Sequence, residues 1–304
     1  MLNIDVMSKN TKIFVFTHYD LDGVCSFLVT KWAFPAATIE HKSLAIGTMR
    51  DEVIKWLLYN DFNNYDHVFF LDLDVTDLKD LIDKKNVIII DHHKSSVDSI
   101  SKMENAKTII KEYSSCVRLV YKAFKKMFNI NLTDAQKQIV LLGDDYDSYA
   151  HQIPESKILN VVFWHTQKGF ETFIETYKNG FVEFTAFQKN MYELFLNELL
   201  RTIKNCNFFG GEVEIGKKSY KVVATFASEH INDIATYMVK KYDSDIVLVV
   251  NDKSNRISIR KKNDTEIDLS KFAEKICDGG GQRAAAGGII TPKFLEFTKL
   301  LKPL

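Results

Sequence analysis

The sequence predicts an α/β chain with two domains, a larger one built on a parallel sheet and a smaller one built on a mixed sheet. Three short runs rich in Val, Ile and Phe lie in the first half without polar alternation, which is typical of strands buried on both faces with helices between them. The strands predicted in the last third alternate more, as in a mixed sheet. With 304 residues, 46% of them hydrophobic, the chain is long enough to form two cores.

The buried runs of the first half predict three strands, which are KIFVF (12–16), DHVFFLD (66–72) and NVIIID (86–91). Apolar residues at helical spacing follow the first run, and a further helix is predicted from Thr76. The alternation of strands and helices favours parallel pairing of the strands.

Helices are predicted in the middle of the chain. Residues 114–145 contain two helical patterns, the second with Thr133 as its N-cap. Residues 170–204 are helical with one polar face, and the later part, 186–205, is interpreted as a linker helix.

The linker helix separates a first domain, residues 1–185, from a second domain, residues 206–304. Helices of the second domain are predicted at about 229–242 and from Asp268. Its strands are predicted in EVEIGKKSYKVVATF, DIVLVVND and NRISIRKK, and glycine is concentrated in DGGGQRAAAGG (278–288).

Charge and composition argue against several classes of protein. Lys and Arg together number 40, as do Asp and Glu, so the formal net charge is zero, unlike a protein that coats long nucleic acid. The four cysteines lack metal-type spacing and are interpreted as reduced packing residues. The N-terminal segment has no apolar stretch of a signal peptide, and no apolar run approaches 18 residues, so we expect a cytoplasmic protein without a membrane partner.

Acidic and imidazole side chains follow each of the three predicted strands. They are His18, Asp20, Asp22, Asp72, Asp91, His92 and His93. Ligands of open α/β sheets bind at the carboxyl ends of the strands, so one crevice is expected to hold these groups. Carboxylates with imidazoles suit a divalent ion such as Mn²⁺, and their number favours two ions about 3.5–4 Å apart that share a carboxylate.

A fourth acidic segment is GDDYDSYAH (143–151), in which Asp144, Asp145 and Asp147 follow the apolar run QIVLLG. Unpaired carboxylates at the edge of a core repel one another and are costly to bury. Their position therefore predicts that a cation draws them together.

The order of these segments resembles the DHH phosphoesterase superfamily. THYDLDGVCS, FFLDLD, IIIDHHK and GDDYDSY resemble its four motifs, and EYSSC before a helix resembles another recurrent element. The tail from RISIRKK to GGGQRAAAGG resembles the DHH-associated C-terminal domain. The resemblance covers nearly the whole chain in the right order.

The resemblance implies a set of metal ligands: His18, Asp20, Asp22, Asp72, His92 and one Asp of the fourth motif. Asp145 is favoured for the last position because Tyr149, four residues later, fits the spacing of the motif, and Asp147 is the alternative. Asp72 would bridge the two ions.

Two further residues of the third motif would act beside the metals. Asp91 would orient an imidazole from outside the ligand set. His93 would face the scissile phosphate as a ligand, a proton donor or a stabiliser of charge.

In the second domain the resemblance implies a set of substrate-binding residues: Ser258, Arg260, Gly279, Gly280, Gly281 and Gln282. Arg suits bidentate contact with phosphate, and glycine lets the backbone approach closely. Gln282 departs from the family, which usually has His there, and it can donate hydrogen bonds but cannot titrate near neutral pH.

The resemblance implies a Mn²⁺-dependent phosphodiesterase, with Mg²⁺ or Co²⁺ as alternative ions. Water activated by two metals would cleave short oligonucleotides or linear dinucleotides to mononucleotides in the cleft between the domains. A RecJ-like single-strand exonuclease and a cyclic-dinucleotide phosphodiesterase are alternatives, and an inactive nucleotide-binding sensor is the alternative of another class. A homodimer is left open.

Overall fold

The computed structural model describes residues 11–93, 96, 103–262, 264–281, 283 and 285–304. It contains two compact units, Met1–Tyr192 and Glu193–Leu304. Each unit has its own sheet.

The first unit is built on a parallel sheet with strand order β2-β1-β3-β4-β5. The strands are β1 (Lys12–His18), β2 (Thr38–Leu44), β3 (His67–Leu71), β4 (Val87–Asp91) and β5 (Lys107–Ile110). The three predicted strands are β1, β3 and β4, which occupy the centre of the sheet and are almost entirely buried. The edge strands β2 and β5 were not predicted, because partly exposed polar residues dominate β2 and β5 has only four residues.

Helices cover both faces of this sheet. The larger core lies on the face covered by α1 (Leu21–Ala33), α4 (Cys116–Phe128), α5 (Asp134–Asp147), α6 (Pro154–His165) and α7 (Gly169–Tyr177). The opposite face is covered by α2 (Met49–Leu57) and the short α3 (Lys79–Ile82), which a 3₁₀ turn at Thr76–Leu78 precedes. Both faces of the central strands are therefore buried, as their apolar sequences predict.

The N-cap predicted at Thr133 is confirmed. Its hydroxyl accepts a hydrogen bond from the backbone N–H of Gln136, and the Gln136 side chain accepts one from the backbone N–H of Thr133. This reciprocal pair is a capping box, and it fixes where α5 begins.

The helical conformation predicted for 170–204 holds for most of the span, but the chain leaves it between α7 and α8 (Ala186–Asn205). Gly180 has a φ of 97°, and a Cβ there would lie 2.3 Å from the carbonyl carbon of Ala135. Only glycine tolerates both conditions. The backbone N–H of Phe181 then donates to the carbonyl of Ala135 and secures the turn.

The second unit is built on a mixed sheet with strand order β10-β11-β9-β8-β7-β6-β12. Its strands are β6 (Phe208–Ile215), β7 (Lys218–Phe226), β8 (Ile246–Asn251), β9 (Arg256–Lys261), β10 (Gly280–Gly281), β11 (Ala285–Ile289) and β12 (Lys302–Pro303). Its helices after α8 are α9 (Ile231–Tyr242), α10 (Leu269–Ile276) and α11 (Pro292–Thr298). Among its pairs β7 and β8 are parallel and the others antiparallel, as predicted for a mixed sheet.

Nowhere in the described parts of the chain is a helix both long and apolar enough to cross a membrane.

Candidate metal centre

The carboxyl ends of β1, β3 and β4 meet at one edge of the first sheet, because the three strands are parallel neighbours. Seven side chains form three overlapping groups there, each with ligand atoms within 4.8 Å of one another: His18, Asp20, Asp22, Asp72, His92, His93 and Asp147. Six of them lie at or just after the ends of β1, β3 and β4 or in the first turn of α1, and Asp147 is the last residue of α5. The topology thus brings together residues up to 129 positions apart in the sequence (147 − 18).

Asp72 occupies the centre of this cluster. Its Oδ1 lies 3.4 Å from Nε2 of His92, and its Oδ2 lies 3.7 Å from Nδ1 of His18. Asp72 has a φ of 59°, in the left-handed region that Asp tolerates better than most residues. A strained backbone at a buried charged residue is typical of a functional site.

Asp22 is held by the first turn of α4. Its Oδ2 accepts a hydrogen bond of 2.6 Å from the N–H of Cys116, and its Oδ1 accepts one of 2.7 Å from the N–H of Val117. The positive end of a helix dipole stabilises a carboxylate in this position. The EYSSC segment therefore fixes the orientation of Asp22, a role that sequence reasoning did not assign to it.

The two imidazoles after β4 are oriented by different partners. Nδ1 of His92 lies 3.2 Å from the carbonyl oxygen of Tyr113, so Nε2 is the atom that faces Asp22, Asp72 and Asp147. A carbonyl on one ring nitrogen fixes the tautomer that leaves the other as a ligand.

Nδ1 of His93 lies 2.7 Å from Oδ1 of Asp91, which is fully buried and also accepts a hydrogen bond from Ser96. Asp91 therefore contacts the imidazole of His93 and does not itself belong to any of the three groups of ligand atoms found among the described residues. Its role in orienting that ring stays a prediction.

In the fourth acidic segment the geometry favours Asp147 as the metal ligand, whereas the sequence favoured Asp145. Oδ2 of Asp147 lies 3.6 Å from Nε2 of His92. Asp145 instead accepts hydrogen bonds from the backbone N–H groups of Gln152 and Ile153 and from the hydroxyl of Ser156. The expectation that Asp145 is the ligand is therefore not supported by the geometry, because its oxygens secure the loop after α5.

Asp144 serves a third purpose. Its carboxylate accepts hydrogen bonds from the hydroxyls of Ser114 and Ser115 and from the guanidinium of Arg118. It thereby ties α5, which ends in Asp147, to the helix whose N-terminus holds Asp22.

The charges of the cluster are strongly coupled. Burial raises the pKa of Asp22 well above its usual value, and the carboxylates of Asp72 and Asp147 raise it further. Burial and the carboxylate of Asp72 raise the pKa of Asp147 to about 7. Burial also disfavours the charged form of His92, but Asp72 and Asp22 outweigh it and raise the pKa of His92 to about 10. The carboxylates of the site thus outnumber its imidazoles, and each carboxylate makes ionisation of its neighbours less favourable.

The residues present fit a divalent cation. Oδ1 of Asp72 is buried and accepts no hydrogen bond from the described residues, and Nε2 of His92 lies beside it at 3.4 Å. A buried carboxylate oxygen in this state is costly unless a cation compensates it. Carboxylates mixed with imidazoles are ligands that suit Mn²⁺, and Asp72 belongs to two of the three groups, as a shared ligand would.

The second unit brings together most of the substrate-binding residues predicted there. Ser258 and Arg260 lie on one face of β9, and Gly280 and Gly281 form β10, with β11 between the two strands. Arg260 donates to the side chain of Asn232 and to the carbonyls of Ile259 and Ala286. Gly279 approaches Gly287 so closely that a Cβ would lie 2.2 Å from its carbonyl oxygen. Gln282 lies outside the described residues.

Comparison with known families assigns both units. Residues 12–143 match the DHH family, N-terminal domain, and residues 217–302 match the DHHA1 domain. The chain belongs to the DHH phosphoesterase superfamily and carries the DHHA1 domain at its C-terminal end. A comparison with curated proteins finds no significant match.

Solved structures share this fold at low sequence identity. A pGpG-specific phosphodiesterase, PggH from Vibrio cholerae, is 13% identical with a TM-score of 0.58, covering 95% of this chain and 96% of its own. The exonuclease RecJ bound to manganese is 11% identical with a TM-score of 0.57, covering 97% and 90%. An exopolyphosphatase-related protein from Bacteroides fragilis is 13% identical with a TM-score of 0.54, covering 95% and 90%. At these identities the likeness establishes the fold alone.

Proposed function

We propose that the protein is a Mn²⁺-dependent phosphodiesterase that hydrolyses short oligonucleotides or linear dinucleotides to mononucleotides. The observation that carries this proposal is the position of Asp72, whose buried carboxylate lies among other carboxylates and imidazoles and has one oxygen that accepts no hydrogen bond from the described residues. A sensor that only binds nucleotides has no use for such a costly arrangement of like charges.

Six side chains would hold two divalent ions: His18, Asp20, Asp22, Asp72, His92 and Asp147. Asp72 would be shared, because it contacts His18 through one oxygen and His92 through the other. When bound, such ions lower the pKa of water and neutralise charge on a phosphate.

His93 would act on the substrate. Burial disfavours its charged form, but Asp91 and Asp72 outweigh that effect and raise the pKa of His93 above its ordinary value. Since Asp91 engages Nδ1, the proton on Nε2 is the one available to a phosphate oxygen. Donation of this proton, or of a hydrogen bond, would stabilise the charge that develops in the transition state.

Arg260 would bind the part of the substrate remote from the scissile phosphate. Its terminal nitrogens donate to the carbonyl of Ile259 and to Oδ1 of Asn232, and the contact with Asn232 lies at the surface. A guanidinium held in this way suits a phosphate or carbonyl oxygen that approaches from the solvent side.

The substrate class draws support from proteins with the same fold, which include a pGpG-specific phosphodiesterase and an exonuclease. Formal net charge zero favours a short ligand over a long nucleic acid.

A panel of substrates tests the proposal. A 5′-labelled linear dinucleotide, an oligonucleotide, a cyclic dinucleotide, pyrophosphate and polyphosphate are incubated separately with the protein and Mn²⁺, and again with excess EDTA. We expect EDTA-sensitive release of mononucleotides, fastest from the dinucleotide or the short oligonucleotide. Preference for the cyclic dinucleotide or for polyphosphate would replace the proposed substrate, and nucleotide binding without turnover of any compound would indicate a sensor.

A further inference from the structure

A large exposed aromatic side chain contacts a tyrosine that lies between two residues of the candidate metal centre in the sequence. Trp164, near the end of α6, is 51% exposed, whereas tryptophan in folded proteins ordinarily buries most of its surface. Its ring lies 5.7 Å from that of Tyr19 in an edge-on arrangement. Tyr19 stands between His18 and Asp20, two residues of the metal cluster.

The aromatic pair, Tyr19 and Trp164, is supported from below. The buried ring of Phe163 lies 5.6 Å from that of Tyr19 and 5.1 Å from that of Trp164. The ring of Tyr19 also stacks at 6.1 Å on the buried Phe170. A Cβ at Gly169 would lie 2.6 Å from the carbonyl oxygen of Phe163 and 3.3 Å from the Tyr19 hydroxyl, so glycine lets the backbone pack closely beside the Tyr19 hydroxyl. The exposed indole therefore packs against rings that are themselves held by the buried core.

One face of α6 runs along the elements that supply the cluster. Ser156, Asn160 and Trp164 follow one another at intervals of four residues and so share a face. Ser156 donates to Asp145, and Asn160 donates to the hydroxyl of Tyr146, both on α5. Trp164, one further turn along, contacts Tyr19. The same helix face thus extends from the end of α5, where Asp147 lies, to the segment of His18 and Asp20.

We propose that the indole of Trp164, supported by Tyr19, is a stacking surface for a nucleobase of the substrate. This inference rests on the proposed function, since it requires that the ligand at the metal cluster is a nucleotide. Aromatic side chains next to a phosphate site stack on bases of any sequence, because every base has a π face. The surface would give the protein a preference for nucleotides over phosphate esters that lack a base.

A pair of substrates tests the inference in the full chain. One is a linear dinucleotide, and the other is the same dinucleotide with an abasic sugar at each position. Trp164→Ala should lower kcat/KM for the dinucleotide by about 5- to 150-fold and leave the abasic compound unchanged, while Trp164→Phe should restore most of the loss. Tyr59→Ala is a matched control, because Tyr59 is 88% exposed and follows α2, on the opposite face of the sheet. An equal loss on both compounds, or no loss on either, would overturn the inference.

A binding measurement decides the matter independently of turnover. The chain has three tryptophans, of which Trp56 is buried and Trp32 is half-buried. Adenosine or guanosine monophosphate should quench the fluorescence of the wild-type protein, ribose 5-phosphate should not, and the quenching should vanish in Trp164→Phe. Quenching that persists in this variant, or that ribose 5-phosphate reproduces, refutes the stacking surface. If the wild-type protein cleaves no dinucleotide but shows this quenching, the proposed function fails and the nucleobase site stands.

Discussion

The buried carboxylate of Asp91 and the half-buried imidazole of His93 form a pair, with 2.7 Å between Oδ1 of Asp91 and Nδ1 of His93. The carboxylate also accepts the backbone N–H of His92 at 2.9 Å and lies at the end of the central strand β4. One buried group therefore contacts the ring of His93 and the backbone of His92. Its charge stabilises the protonated form of His93, the form that can donate to a phosphate.

Asp91→Asn should lower kcat by about 10–100-fold, the range for partners that orient residues of a metal site. The Asn carbonyl can still accept the Nδ1 hydrogen, so geometry is largely retained while the negative charge is lost. The measurement is kcat at saturating substrate and Mn²⁺. Asp83→Asn is the matched control: this carboxylate accepts backbone hydrogen bonds from Glu104, Asn105 and Ala106 and takes no part in the cluster, so its loss should affect stability and spare kcat.

Asp147→Asn and Asp145→Asn should affect different properties, the first Mn²⁺ binding and the second the stability of the fold. Asp147→Asn removes a candidate ligand and should weaken Mn²⁺ binding, measured by calorimetry, by at least about tenfold. The metal-free protein should not be destabilised, because burial and Asp72 already disfavour the charged form of Asp147.

Asp145→Asn should instead destabilise the fold by about 1–3 kcal/mol in urea unfolding, because the variant loses charge-assisted hydrogen bonds to the loop after α5. Its Mn²⁺ affinity should stay near that of the wild-type protein. If Asp145→Asn weakened Mn²⁺ binding more than Asp147→Asn did, the assignment drawn from the geometry would be wrong.

The sequence alone could not determine which of these two residues faces the metal cluster. Successive helix positions are rotated by 100°, so Asp145 and Asp147 point in nearly opposite directions from α5, and only one of them can face the cluster. The rotation of α5 is set by which of its residues enter the core. Motif spacing cannot determine that rotation, and it favoured Asp145, whereas the geometry favours Asp147.

The residues that gather at the strand ends were easier to predict, because their positions depend on the strand pairing alone. Three continuous apolar runs required strands buried on both faces, and parallel pairing of those strands necessarily collects His18, Asp72 and His92 at one edge. The partners that orient these groups were not predictable in the same way. The carbonyl of Tyr113 and the N–H groups of Cys116 and Val117 are backbone atoms, and nothing in the identity of a residue marks them.

Asp72→Asn should abolish turnover, with a loss of at least about 10²–10³-fold in kcat, comparable to the removal of one donor that stabilises a transition state. Asn is the informative substitution because it tolerates the φ of 59° at this position, whereas Ala would add backbone strain. Near-normal Mn²⁺-dependent activity in the purified variant would remove Asp72 from the site.

Addition of Mn²⁺ should raise the thermal stability of the protein, because the ion compensates buried carboxylates that repel one another in its absence. At a concentration 100 times the dissociation constant, one bound ion stabilises by about 2.7 kcal/mol. Differential scanning calorimetry with Mn²⁺ and with EDTA measures the shift in Tm, and Asp72→Asn should reduce it. An identical Tm with and without Mn²⁺ in the wild-type protein would contradict a metal site made of buried groups.

Arg260→Ala should separate substrate recognition from chemistry. If Arg260 binds the substrate away from the scissile phosphate, its loss should cost about 1.5–3 kcal/mol in kcat/KM for a linear dinucleotide, the range for hydrogen bonds to charged groups. A small ester such as bis-p-nitrophenyl phosphate lacks that remote group, so its hydrolysis should be unchanged. Arg256→Ala, an exposed arginine on the same strand and the same face, is the control and should leave both rates unaltered. An equal loss on the dinucleotide and on the small ester would show that Arg260 acts through the fold or through the metal site rather than by holding the substrate.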